Sequence, residues 1–102
     1  MQRHKIETVS LDAIRVFTLC ARHMSFSRAA RQLRVSQGAV SRRIKLLEDD
    51  LGYRLFERNG RHLALTAKGA HLFGQATEAI DLLAATLEAN APGAANGAVS
   101  LA

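Results

Sequence analysis

Between Ser36 and Lys45 runs the string Ser-Gln-Gly-Ala-Val-Ser-Arg-Arg-Ile-Lys, in which hydrogen-bonding side chains alternate with very small ones. Its chemistry is that of recognition rather than bond breaking. Arg42 can offer two donors to guanine O6 and N7, and Gln37 can pair with an adenine edge. Gly38 and Ala39 add little bulk, so the backbone carrying them can approach a groove floor closely. A second pair of cations, Arg58 and Arg61, brackets Asn59-Gly60. Arginines held out on a turn suit a narrow, negative minor groove, the alternative being a mobile solvated loop. Ser25, Ser27, Arg28 and Arg31, together with Ser36, Arg43, Lys45 and Thr66, form a set of hydroxyls and cations suited to phosphate oxygens. Arg43 and Lys45 could equally be ordinary solvated charges, and Ser36 could act as a helix cap, with or without a phosphate contact.

These groups act together only if helices and a hairpin set their directions. Leu11 to Arg22 reads as a first helix, with Leu11, Ile14, Phe17 and Ala21 at helical spacing behind Ser10 as N-cap. Ser25 caps a second helix showing Phe26, Ala29, Ala30 and Leu33 on one face, interrupted by Val35-Ser36 after about nine residues. A third runs from Ser36 or Gln37 to about Asp50. Its apolar stripe of Val40, Ile44, Leu47 and Leu51 puts Gly38, Arg42, Lys45 and Asp49 opposite, with Ala39 and Ser41 on the flanks and Gly52 as a left-handed cap. Two short helices joined by a tight turn make a helix-turn-helix, whose second helix enters the major groove while the first crosses the backbone. Tyr53–Arg58 and Arg61–Leu65 flank Asn59-Gly60 as a two-stranded wing with its tip at or near that dipeptide. Isolated hairpins are marginal, so the wing must lean on the helices through Leu55, Phe56, Leu63 and Leu65.

Thr66 begins a fourth helix reaching about Asn90. Phe73, Ala76, Ile80, Leu83 and Leu87 step by threes and fours along it as a seam. Such a stripe could pack on the domain's own core. A helix of about 25 residues nevertheless spans roughly 37 Å and overhangs so small a domain, so its outer half needs a partner, most simply a second copy. The expected architecture is mainly α. A winged helix-turn-helix of three helices and a two-stranded wing occupies residues 1–65, and a linker or dimerisation helix occupies 66–90. The Pro/Gly/Ala-rich stretch from Ala91 reads as a hinge, after which Ala98-Val99-Ser100-Leu101-Ala102 resembles the start of a strand in a further domain.

Charge agrees with this division. Residues 22–61 hold ten Lys or Arg against four Asp or Glu, a balance of +6, while residues 66–90 hold one Lys against three acids, a balance of −2. A basic block beside a mildly acidic helix points to a polyanion-binding face, a solvated surface being the alternative. Only 5% of residues are aromatic, so the core is expected to be mainly aliphatic. The single Cys20 lies in an apolar helical pattern and reads as a buried free thiol of a reducing compartment. Met1–Glu7 lacks the apolar run of a signal peptide and no stretch is long and apolar enough to span a membrane, which places the protein in the cytoplasm.

The string from Phe26 to Glu48, continued by Leu51-Gly52-Tyr53-Arg54-Leu55-Phe56-Glu57-Arg58 and Leu65-Thr66-Ala67-Lys68-Gly69, closely resembles the N-terminal domain of LysR-type transcription regulators. The resemblance covers about residues 11–90. It implies a winged helix-turn-helix followed by a linker helix that pairs antiparallel in a homodimer, and a tetrameric whole protein. It also implies an effector-binding domain of about two hundred residues, for which Asn96-Gly97-Ala98-Val99-Ser100-Leu101 would be the opening. By motif position Gln37, Ser41 and Arg42 would face the major groove and Arg61 the minor groove. The partner so implied is a double-stranded operator with inverted-repeat half-sites, and a small-molecule effector would belong to the further domain. Many family members carry proline where this chain has Gly38. The form Gln37-Gly38-Ala39-Val40-Ser41-Arg42 is similar to the branch of glycine-cleavage activators and β-lactamase regulators.

Two other classes compete. A dimerisation or scaffold module would carry the basic block incidentally. An enzyme would need a constellation that is not evident: His4, His23, His62 and His71 fall on different segments, and there is no metal-spaced Cys/His cluster, phosphate-binding glycine loop or Ser/His/Asp set. Neither catalysis, a metal nor a cofactor is expected of this stretch.

Overall fold

Ser10, Ser25, Ser36 and Thr66 each adopt extended backbone and start a helix, their side-chain oxygens accepting the amides of Ala13, Arg28, Ala39 and Gly69 at 2.9–3.1 Å. The computed structural model describes residues 8–93. The resulting helices are α1 (Leu11–His23), α2 (Phe26–Leu33), α3 (Gln37–Leu51) and α4 (Ala67–Ala89), with strands β1 (Phe56–Asn59) and β2 (His62–Leu65) between α3 and α4. The expectations for the opening Met1–Glu7 and for the strand after Ala98 lie outside the described residues.

The first three helices end by the same device. Met24, Arg34 and Gly52 turn into left-handed backbone at φ of 48°, 61° and 86°. Gly52 does so without a Cβ penalty. Met24 and Arg34 each carry a cost of about 1 kcal/mol, offset by the amide–carbonyl bonds the turn completes: Ser25 N to Cys20 O at 3.2 Å and Val35 N to Ala30 O at 3.0 Å. The turn at Arg34 brings α2 and α3 against each other.

Helix α1 lies at the centre, against α2, α3 and α4. That position changes which of its residues are buried. The expected stripe began at Leu11, but Leu11 is 60% exposed, while Ala13 and Ile14 beside it pack against the core. Further along, Val16, Phe17, Leu19, Cys20 and Ala21 are all buried, covering more than one face. On α3 the expected stripe holds, with Val40, Ile44 and Leu47 buried and Leu51 packed at the margin.

Aliphatic residues supply most of the core, yet all four phenylalanines join into one chain through it. Phe26 meets Phe56 edge-on at 5.2 Å, Phe56 meets Phe17 at 5.5 Å, and Phe17 meets Phe73 at 6.4 Å. Such pairs contribute about 0.5–1.5 kcal/mol each beyond area burial, and here they tie α2, β1, α1 and α4 together.

The strands pair antiparallel with Phe56 opposite Leu65 and Asn59 opposite His62. The two-residue turn is therefore Gly60-Arg61, one position beyond Asn59-Gly60 and within the expectation of a tip at or near that dipeptide. Gly60 has φ 64° and Arg61 is not in the positive-φ region, the pattern of a turn that takes glycine first. The extra β-pair formed by Asn59 is what moves the tip.

The proposed α4 seam divides in two. Phe73 and Ala76 are spent on the domain's own core, beside Phe17 and α1. Ile80 is half-buried, and beyond it Leu83 and Leu87 stand 47% and 70% exposed, joined by Leu82. The overhang expected from helix length is present in the outer half alone.

Candidate nucleic-acid interface

The Ser36 cap fixes where α3 begins, and the buried stripe of Val40, Ile44 and Leu47 fixes its rotation. Together they turn Gln37, Gly38, Ser41, Arg42 and Lys45 outward, where all are exposed. A Cβ built on Gly38 would meet no neighbour, so the start of the helix presents bare backbone to solvent. Among the described residues Arg42 enters no ion pair, which leaves its guanidinium free to fork. Lys45 lies 3.8 Å from Asp49 one turn on, a weak exposed pair.

Three expected contact residues are placed differently. Ala39 is half-buried and lines a groove with Asp12, Leu33 and Val35, because a helical step of about 100° from Gly38 carries it toward α1; it is not on the outward face. Arg43, beside it, pairs with Asp12 of α1, which also draws Arg15 to 3.5 Å. Thr66 is occupied twice: its hydroxyl donates to Arg54 O at 2.7 Å and accepts from Gly69 N at 2.9 Å. With its single proton committed there, it has none for a phosphate.

Ser25, Ser27, Arg28 and Arg31, also expected at phosphates, run along α2 from its cap to its last turn. Ser27, Arg28 and Arg31 are exposed, while Ser25 is half-buried as a cap with its oxygen 3.4 Å from that of Ser27. On the wing, Arg58 sits on β1 opposite Leu63 and Arg61 forms half of the turn, both exposed. A groove between α3 and the wing is lined by Ser41, Lys45, Arg54 and Arg58 together with Glu48 and Glu57. Helix α3 and the wing thus flank one channel in which three cations face two carboxylates.

Sequence reasoning missed three residues that build this arrangement. Arg54, its side chain 71% exposed, adds a cation to the channel. Glu48, on α3, accepts the amides of Leu55 and Phe56 at 2.7 and 3.2 Å and so ties the end of the helix to the base of the wing. Gly69 lets α4 pass against Leu55, whose carbonyl oxygen would lie 2.2 Å from a Cβ there. An acid within the basic block and a glycine in the first turn of a helix, where alanine is intrinsically better, were the available signals.

Cys20 lies fully buried in α1 with its thiol pushed up to about 11 by burial, so it is inert rather than poised. His23 bonds Gln32 at 2.8 Å across α1 and α2, a structural contact. No group of three or more potential metal ligands exists among the described residues, and none of their helices is long and apolar enough to cross a membrane.

A helix-turn-helix with a two-stranded wing and a long following helix, carrying on its outward face an Arg42 that enters no ion pair among the described residues, defines the class of DNA-binding domains used by bacterial regulators. Residues 11–70 match the family described as bacterial regulatory helix-turn-helix protein, lysR family, and the chain belongs to that family. It is 51% identical to the glycine cleavage system transcriptional activator of Escherichia coli strain K12, over 68% of this chain and 25% of that protein. It is 41% identical to the carbapenem-hydrolyzing β-lactamase transcriptional activator of Serratia marcescens, over 78% of this chain and 27% of that protein. These are relatives of the two kinds that the Gly38-containing motif resembles. The chain spans about a quarter of the length of these curated relatives. Among solved structures, the BenM_DBD/catB site 1 DNA complex matches with a TM-score of 0.73 at 29% identity, over 78% of this chain and 85% of that one. CrgA of Neisseria meningitidis, a LysR-type transcriptional regulator, matches with a TM-score of 0.62 at 41% identity, over 74% of this chain and 26% of that one.

Proposed function

We propose that this chain is the operator-reading domain of a LysR-type transcription regulator and binds double-stranded DNA as a homodimer. The observation that carries the proposal is the outward face of α3, where Gln37, Gly38, Ser41 and Arg42 are exposed beside a basic wing and Arg42 has no internal partner among the described residues. In this reading α3 enters the major groove by its N-terminal turns, with Arg42 on a guanine, Gln37 on an adenine edge and Ser41 between them. Gly38 admits the backbone to the groove floor. Ser27, Arg28, Arg31, Ser36 and Lys45 take phosphates, and Arg58 and Arg61 reach the minor groove. A solved structure of this fold in complex with DNA supports duplex binding by the domain.

The outer half of α4, with Ile80, Leu83 and Leu87, is the proposed dimer contact. A two-fold dimer would read inverted-repeat half-sites. The whole regulator is proposed to be a cytoplasmic tetramer whose further domain binds a small-molecule effector.

Selection from a random duplex pool, followed by a salt titration on the selected site, tests the proposal. Affinity should fall steeply with salt, as several neutralised phosphates per subunit require. Arg42→Ala should cost about 1–3 kcal/mol on the selected site and relax one base position. A scaffold module would show no salt-sensitive duplex binding, and an unchanged base profile in Arg42→Ala would refute that residue's role.

A further inference from the structure

Binding a polyanion gives no reason to place a carboxylate on the recognition helix, yet Glu48 sits on α3 one turn beyond Ile44 with only 11% of its side chain exposed. One oxygen, Oε2, accepts both the Leu55 amide at 2.7 Å and the Phe56 amide at 3.2 Å. The other lies 3.8 Å from Arg54 Nε. A single carboxylate thus holds three consecutive residues at the entry to the wing. From the opposite side α4 holds the same segment, through Thr66 N to Leu55 O at 3.0 Å and Thr66 Oγ1 to Arg54 O at 2.7 Å. Leu55 is fully buried, so the clamp closes at the edge of the core.

The wing projects from this clamp as a two-stranded lever. From Phe56 to the Gly60-Arg61 turn the chain runs roughly 15 Å. A tilt of about 10° at its base would therefore move the tip by about 2.6 Å, enough to break a hydrogen bond made there. A hairpin of this size does not hold its own direction, so its angle to α3 is set at the base. The two bonds to a charged acceptor are hydrogen-bonded links between helix and wing in that angle, beside the apolar contacts of Phe56 and Leu63 with the core.

We propose that Glu48 is a positioning residue that sets the angle between recognition helix and wing, so that Arg58 and Arg61 meet the same duplex that α3 reads. This rests on the DNA-binding reading above.

The test uses the full chain and two substitutions that separate reach from charge. Glu48→Gln keeps an acceptor oxygen at the same reach, and Glu48→Asp keeps the charge but falls short by about 1.5 Å. Amide hydrogen exchange at Leu55 and Phe56 should stay slow in wild type and Glu48→Gln. It should quicken at least about tenfold in Glu48→Asp, while Phe17 and Leu19 in α1 keep their protection. Arg61→Ala is then introduced into each background and binding to a selected duplex is measured. The loss should be about fivefold or more in wild type and Glu48→Gln, and under about twofold in Glu48→Asp. Slow Leu55 and Phe56 exchange in Glu48→Asp, or an Arg61 effect of the same size in all three backgrounds, would overturn the proposal. Failure of the wild type to bind any duplex would instead bring down the DNA-binding reading, and this proposal with it.

Discussion

Replacing Gly69 by alanine should destabilise the protein, although alanine is the better helix former. Gly69 is buried in the first turn of α4, and its would-be Cβ falls 2.2 Å from Leu55 O, 3.0 Å from Leu55 C and 3.1 Å from Leu55 Cα. All three atoms are backbone, so no rotamer can relieve the overlap. Leu55 itself is fixed by Glu48 on one side and by the Thr66 amide on the other. The helix must therefore lift by about an ångström, loosening the Thr66–Leu55 bond and the seating of Phe73 on Phe17. Overpacking of this kind costs about 1–3 kcal/mol and a weakened buried hydrogen bond about 1 kcal/mol more. The helix-propensity gain returns about 1 kcal/mol, leaving a net loss near 2 kcal/mol. For a domain of this size that corresponds to a Tm lowered by about 8–16 °C. Gly74, further along the same helix, is exposed with nothing near its would-be Cβ, so Gly74→Ala should raise Tm by a few degrees. Thermal unfolding followed by circular dichroism at one protein concentration compares the two. If Gly69→Ala melts at or above wild type, the close approach of α4 to Leu55 is wrong.

Three further outcomes are expected. Arg61→Ala should weaken binding chiefly on A·T-rich flanks, where the minor groove is narrow; equal loss on every flank in competition assays would exclude minor-groove insertion. Leu83→Asp, at an exposed position of α4, should leave Tm of the separated domain nearly unchanged while abolishing the dimer in analytical ultracentrifugation. A dimer that survives places the contact elsewhere. Because burial raises the Cys20 thiol from 9.0 to about 11, the folded state retains a proton that the unfolded chain releases. Stability from this group is therefore present below pH 9 and declines as pH rises toward 11. Native protein at pH 8 should accordingly resist alkylation that proceeds readily in urea, and rapid labelling without denaturant would contradict the burial.

The local code was legible because each of its signals is satisfied within a few residues. Ser10, Ser25, Ser36 and Thr66 start helices by bonding an amide three positions on, Gly52 stops one, and the stripe Val40-Ile44-Leu47 fixes which side of α3 faces out. Those features suffice to place Gln37, Gly38, Ser41 and Arg42 on one exposed face, and to foresee the helix-turn-helix. What eluded the pattern depends on which element lies beside which. Leu11 shares a stripe with Phe17 but stays exposed, and Phe73 and Ala76 share a seam with Leu87 but are taken up by α1. Ala39 and Arg43 face Asp12, thirty-one residues from Arg43, and no periodicity within α3 could announce that neighbour. Glu48 and Gly69 meet the Leu55 backbone from two different helices. Helix and turn signals act through bonds between near neighbours and survive in the linear order; burial and clamping act through space, and exist only once the chain has closed on itself.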